Sequence, residues 1–324
     1  MTEDPRPGPR PPLEDDDENG GDLGGPSRGA SVARFFVLPL LVVGTALIIF
    51  LVFNLMTFER RSPADELAEV RGGTANRRWQ AAFELSRSIS RIPAGPEREA
   101  FAAETRRVFS GLSTRRPEDV KVRRYLVLVL GKLQDRAALP DFVAAAKDPD
   151  PETRLYAIWA IGMLGDASAL DTVLEASSSD DPGVRKMAAY VLGKLGDIRA
   201  VPRLRVLLGD PAEDVRWNAA IALASLHDPS GADVLRAMID RGALVKRLSP
   251  EQLEIAMTSA LQALALLRDP ASLPALDRIA REDPNLRVRE AARKAAEATR
   301  SPATGGAAEK PSANLERSGA VLVG

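Results

Sequence analysis

Arginine recurs at Arg123, Arg154, Arg185 and Arg216, thirty-one residues apart, with an earlier copy at Arg78 and a last one at Arg289. Six positions before several of them stands a residue with a short oxygen-bearing side chain: Asp148, Ser179, Asp210 and Asp283. Such oxygens can satisfy the orphan amides at a helix start. Every Tyr and Trp of the chain lies within five residues after a recurring Arg: Trp79, Tyr125, Tyr156, Trp159, Tyr190 and Trp217. Aromatic and guanidinium groups dominate binding hot spots. The chemistry these residues can do is non-covalent recognition.

Groups for bond-making are scarce. The chain has no cysteine and one histidine, His227. A zinc site, a Cys-His pair or a Ser-His-Asp triad therefore fails or rests on His227 alone. That residue occupies a turn column filled by Gly165 and Gly196 in the neighbouring copies, so it is expected to be a turn residue. No metal and no cofactor is expected.

The period dictates the elements that position these side chains. Gly131, Gly162 and Gly193 share the spacing, with Ala224 in the fourth copy; so do Leu133, Leu164, Leu195 and Leu226, and Asp135, Asp166, Asp197 and Asp228. Self-similarity at this period means stacked units, each completing the core of the last. Each copy has an Ala-rich apolar helix ending in Leu-Gly, a turn with Asp, and a shorter second helix. Ala157, Ala188, Ala219 and Ala260 permit close packing, and the glycines serve packing and helix termination. The expected class is all-α, a solenoid of helical hairpins. An insertion around residues 241–249 lengthens the fourth connection, and Met257 stands where the next Arg is due.

Outside the repeats, residues 1–34 are acidic and rich in Pro and Gly, and are expected to be disordered. From Phe35 to Phe53 no charge occurs, which predicts one transmembrane helix over 35–56. A small excess of Arg after it places the solenoid on the cytoplasmic side. Residues 57–76 are expected to hold a juxtamembrane helix and linker, with Ser62 as cap and Pro63 at the first helical position. The solenoid covers 77–300, and 301–324 form a second free tail.

The run from Ser179 through Arg185 and Gly193 to Asp197 resembles HEAT repeats of the short, phycobilin-lyase type. The resemblance implies a ladder of charge-assisted bonds between adjacent repeats, built from Asp148 with Arg154, Asp210 with Arg216 and Asp283 with Arg289, with Arg185 in the same column. It also places the first helix of each repeat on a concave face, where the aromatics would form a strip flanked by Arg124 and Lys186. The His-Glu pairs of the iron-dependent HEAT hydroxylases are absent.

The expected function is that of a membrane-anchored scaffold binding a protein or peptide partner, without catalysis. The alternative from the enzyme class is a bilin-lyase-like activity on a tetrapyrrole, which a coloured, stoichiometric ligand would reveal. Nucleic-acid binding is not expected, because residues 35–300 carry a net charge of only +3 and phosphate binding draws on a larger basic excess.

Overall fold

The computed structural model describes residues 28–57 and 62–301. The chain divides into two compact units, Met1–Arg60 and Arg61–Gly324. Of the expected tails, 1–27 and 302–324 lie outside the described residues, while 28–34 belong to a helix.

The first unit contains α1 (Arg28–Thr57), with Pro39 inside it. Among the described residues no helix is long and apolar enough to cross a membrane. This overturns the expected span at 35–56 and, with it, the single-pass placement and the cytoplasmic side.

The second unit is helical throughout its described length, with no strand. It opens with α2 (Pro63–Gly72), which starts at a capping box made by Ser62 and Asp65. This helix, at the place where a juxtamembrane helix was expected, is part of the packed array, with Leu67 and Val70 buried against α3. The first helices of successive hairpins are α3 (Ala75–Ser88), α5 (Pro117–Leu133), α7 (Pro151–Leu164), α9 (Pro182–Leu195), α11 (Glu213–Ser225), α14 (Pro250–Leu267) and α16 (Leu286–Arg300). Between them run the second helices α4 (Pro96–Ser110), α6 (Leu139–Ala145), α8 (Leu170–Ala176), α10 (Val201–Leu207), α12 (Ala232–Met238) and α15 (Leu273–Glu282), with α13 (Arg241–Leu244) in the insertion.

First helices pack directly on one another along the array, whereas second helices pack chiefly on the first helix that follows them. The apolar positions that make this possible include Leu126, Leu130, Ile158, Ile161, Leu192 and Leu223, all fully buried. Burying each such side chain is worth about 1.5–3 kcal/mol relative to leaving it exposed.

The repeat glycines lie where first helices approach most closely. A Cβ on Gly131 would stand 2.8 Å from Ala160 Cβ and from the Trp159 ring. One on Gly162 would meet Val191 at 2.7 Å, and one on Gly193 would meet Ala222 Cβ at 2.7 Å and Cα at 2.8 Å. Their role is packing rather than helix termination. Termination belongs to the column three residues later, where Gly165 and Gly196 adopt the left-handed conformation (φ 63° and 71°). Gln134, His227 and Arg268 take the same conformation at equivalent turns.

Helix starts follow the same economy of types. Asp150, Asp181 and Asn285 accept amide hydrogen bonds as N-caps of α7, α9 and α16, and Pro151 and Pro182 follow at the first helical position. Asp148, Ser179, Asp210 and Asp283 act two residues earlier, each accepting from the amide two positions on, which brackets the turn leading into the helix. Asp135, Asp166, Asp197 and Asp228 cap the short 3-10 turns that open the second helices.

Candidate functional site

The recurring arginines sit near the start of the first helices, beside the loop that leads in. Arg154 Nη1 donates to the carbonyls of Asp148 and Pro149 at 2.9 and 3.1 Å, and Arg216 Nη1 does the same to Asp210 and Pro211 at 2.7 and 3.0 Å. The carboxylates are taken from the other side. Arg123 Nε and Nη2 donate to Asp148 Oδ2 at 3.0 and 2.8 Å. Arg185 holds both oxygens of Asp210 at 2.8 and 2.9 Å. Each pair spans twenty-five residues.

The pairing implied by the resemblance, with partners six residues apart, is therefore corrected. Within six residues an Arg meets only the carbonyls of its own loop; the carboxylate belongs to the guanidinium of the preceding repeat. Among the described residues Arg289 makes no ion pair with Asp283. Asp283 is instead held by Arg241 of the insertion, at 2.7 and 2.6 Å, so the ladder continues past Met257, which stands where the next Arg is due. At the other end Arg78 pairs with Asp119 at 3.0 Å.

Hydrogen bonding from Arg185 holds the Asp210 carboxyl below the usual carboxylate range. Arg123 also lies over the Phe109 ring, 4.6 Å from its centroid.

The aromatic side chains occupy a different face. Trp79, Tyr125, Tyr156, Trp159, Tyr190 and Trp217 are all half-buried and pack on the core with one side. Two columns of half-buried residues recur along the first helices, one and five residues after the recurring Arg, while Tyr125 and Tyr156 stand two residues after it, outside both columns. The columns read Trp79 and Phe83, Arg124 and Leu128, Leu155 and Trp159, Lys186 and Tyr190, Trp217 and Ile221. On α14 the columns turn polar, with Thr258 and Gln262. Sequence reasoning from aromatic type alone missed Phe83, Leu128, Leu155 and Ile221; the spacing of four residues within each helix, one turn apart, was the signal.

Tyr125 lies beside Phe83, edge to face with ring centroids 5.3 Å apart. Burial pushes the Tyr156 phenol upward. Trp79 donates from Nε1 to Asn76 at 3.2 Å, and Lys121 Nζ lies 4.8 Å from its ring centroid. A cavity of about 620 Å³ opens beside Trp79 and Phe83, with Glu66, Arg77 and Glu84 among its lining.

The cations expected to flank the strip are neutralised in place. Arg124 binds both oxygens of Asp150 at 3.2 and 3.0 Å and Glu152 at 2.6 Å. Burial alone would raise the Asp150 carboxyl; hydrogen bonds from Arg124 and Thr153 outweigh it and hold the group below its usual range. Lys186 stands 3.7 Å from Asp214. His227 is an exposed turn residue.

A family described as HEAT repeats matches residues 111–183 and 170–254. Among solved structures, the complex of CpcE and CpcF of phycocyanin lyase from Nostoc sp. is similar at 18% identity, covering 82% of this chain and 94% of that one with a TM-score of 0.52. The Escherichia coli protein YibA is 17% identical over 72% of this chain and 81% of its own, with a TM-score of 0.49. A designed armadillo repeat protein is 18% identical over 74% of this chain and 100% of its own, with a TM-score of 0.39. No curated protein matches the sequence. The matched repeats coincide with hairpins whose glycines, capping residues and Arg–Asp rungs recur at one spacing: residues 111–254 carry HEAT-like repeats within an all-helical array.

Proposed function

We propose that this chain is a scaffold that binds a protein or peptide along the half-exposed columns of α3, α5, α7, α9 and α11, and that it acts by recognition rather than catalysis. The observation that carries this reading is the row of aromatic and aliphatic side chains from Trp79 to Ile221, which five consecutive first helices present at one register. First helices are the more closely packed row, which places them on the inner side of any bend and suits them to follow an extended or helical ligand. Nucleic acid is a poor fit, because Arg124 and Lys186 on this face already have carboxylate partners. The likeness to phycocyanin lyase subunits is one of fold and supplies no tetrapyrrole chemistry; that structure is itself a complex of two chains.

Site-specific photocrosslinking in the source cells tests this. A photoreactive phenylalanine at Tyr190 should give a discrete adduct, and one at Ile198, an exposed position on a 3-10 turn away from the strip, should not. Equal labelling at both positions, or none at Tyr190, would defeat the reading.

A further inference from the structure

Two recurring arginines, Arg154 and Arg216, make only the carbonyl half of their bonds, and at Arg154 the residue in the carboxylate column is a serine. Arg185 donates from Nη1 to the carbonyls of Ser179 and Asp180 at 2.9 and 3.0 Å, and from Nε and Nη2 to the Asp210 carboxylate. Arg154 repeats the first set with Asp148 and Pro149. Twenty-five residues beyond Arg154, in the column of Asp148 and Asp210, stands Ser179. Its Oγ keeps the local bond, accepting from the Asp181 amide at 3.3 Å, as the aspartates do in their loops. It brings no carboxylate, and Arg154 has no ion-pair partner among the described residues. A cavity of about 470 Å³ lies there, lined by Arg154, Ser179, Lys147, Thr172, Glu175 and Asp180.

We propose that this cavity takes the carboxylate of an aspartate or glutamate side chain from a second polypeptide, which completes on Arg154 the two-pronged pair that Asp210 makes on Arg185. The chain itself supplies the template, since the flanking rungs fill the equivalent position with a planar carboxylate. A doubly charged phosphate fits less well. Asp148 is already held by Arg123, and Glu175 by Lys147 at 2.7 Å, so Arg154 is the cation here without an ion-pair partner among the described residues, and Asp180 repels a second negative charge. The site lies at the loops leading into α7 and α9, apart from the aromatic strip, and the two can fail independently.

Thermal melting of the full chain tests the proposal with acetyl-Asp-Pro-amide, the Asp148-Pro149 sequence of the preceding rung, against acetyl-Asn-Pro-amide and inorganic phosphate at matched ionic strength. At concentrations of tens of millimolar the Asp peptide should raise the midpoint by about 2–3 °C, as expected for several-fold saturation of one site. The Asn peptide should have no effect, and phosphate less than the Asp peptide. Ser179→Asp should melt higher than wild type without peptide and lose the response, Arg154→Gln should lose the response, and Ser179→Ala should keep it. An equal shift with the Asn peptide, no shift in wild type, a response undiminished in Arg154→Gln or Ser179→Asp, or a larger effect of phosphate would overturn it. If Ser179→Asp does not fold, Arg154→Gln against Ser179→Ala decides the question.

Discussion

Arg241 holds both carboxylate oxygens of Asp283 across forty-two residues, in the place that the repeat period assigns to Met257. The insertion that breaks the spacing thus supplies the guanidinium that the regular helix lost. Arg241→Ala leaves a carboxylate that is almost fully buried without its partner and should cost about 2–4 kcal/mol in urea unfolding. Adding Asp283→Asn should recover much of that loss. A double mutant no better than Arg241→Ala would show that the pair is not the source of the effect.

The Arg185–Asp210 rung predicts acid sensitivity of definite sign. The folded Asp210 carboxyl lies below its usual range, that is, below an unfolded value of about 4. Its stabilisation is complete above that value and disappears as pH falls through the folded one. Melting midpoints between pH 6 and 3 should fall more steeply for wild type than for Asp210→Asn. Parallel curves would contradict the assignment.

Two kinds of glycine should respond differently to alanine. Gly193→Ala sets a methyl 2.7–2.8 Å from Ala222, where backbone must move, and should cost about 2–3 kcal/mol. Gly165→Ala meets nothing within 4 Å and should cost only about 1 kcal/mol, for the positive φ. The converse change, His227→Gly, should stabilise by up to about 1 kcal/mol. Chemical denaturation of the three variants checks the order.

Trp159, Tyr190 and Trp217 are half-buried, so replacing them with Ala affects both packing and any partner. Each substitution should lower stability by about 1–2 kcal/mol while the circular dichroism spectrum stays helical. Loss of the Tyr190-region partner, measured with a crosslinker moved to Leu155, should exceed tenfold for the triple variant, given hot-spot values above about 1 kcal/mol apiece. Undiminished capture by a folded triple variant would remove the strip from the binding surface.

The hairpin architecture was legible because apolar period, capping residues and turn residues all repeat together. Partner assignment along the ladder was not. Residue spacing identifies columns, but which Arg faces Asp148 depends on how one unit lies against the next, and that offset favours Arg123 over Arg154. Likewise Arg124 and Lys186 were placed beside the aromatic strip without carboxylate partners, because Asp150 and Asp214, which pair with them, sit at a neighbouring helix start. The glycines were recognised as special, yet Gly131 is required by the helix packed against it and Gly165 by its left-handed turn, and the first of these no single repeat discloses. The uncharged run at 35–53 suggested a span that the described part of α1 does not bear out.

Each Arg–Asp rung and each glycine contact joins nearest neighbours only, so length is a free variable of this architecture. Excising residues 154–184 and rejoining the ends would put Arg185 six positions after Asp148 and retain both flanking rungs. It would seat Gly131 against Val191, the neighbour Gly162 already has. Such a chain would lose the one serine of the column, and an array of this kind can be shortened or extended by whole modules without redesigning any surviving joint.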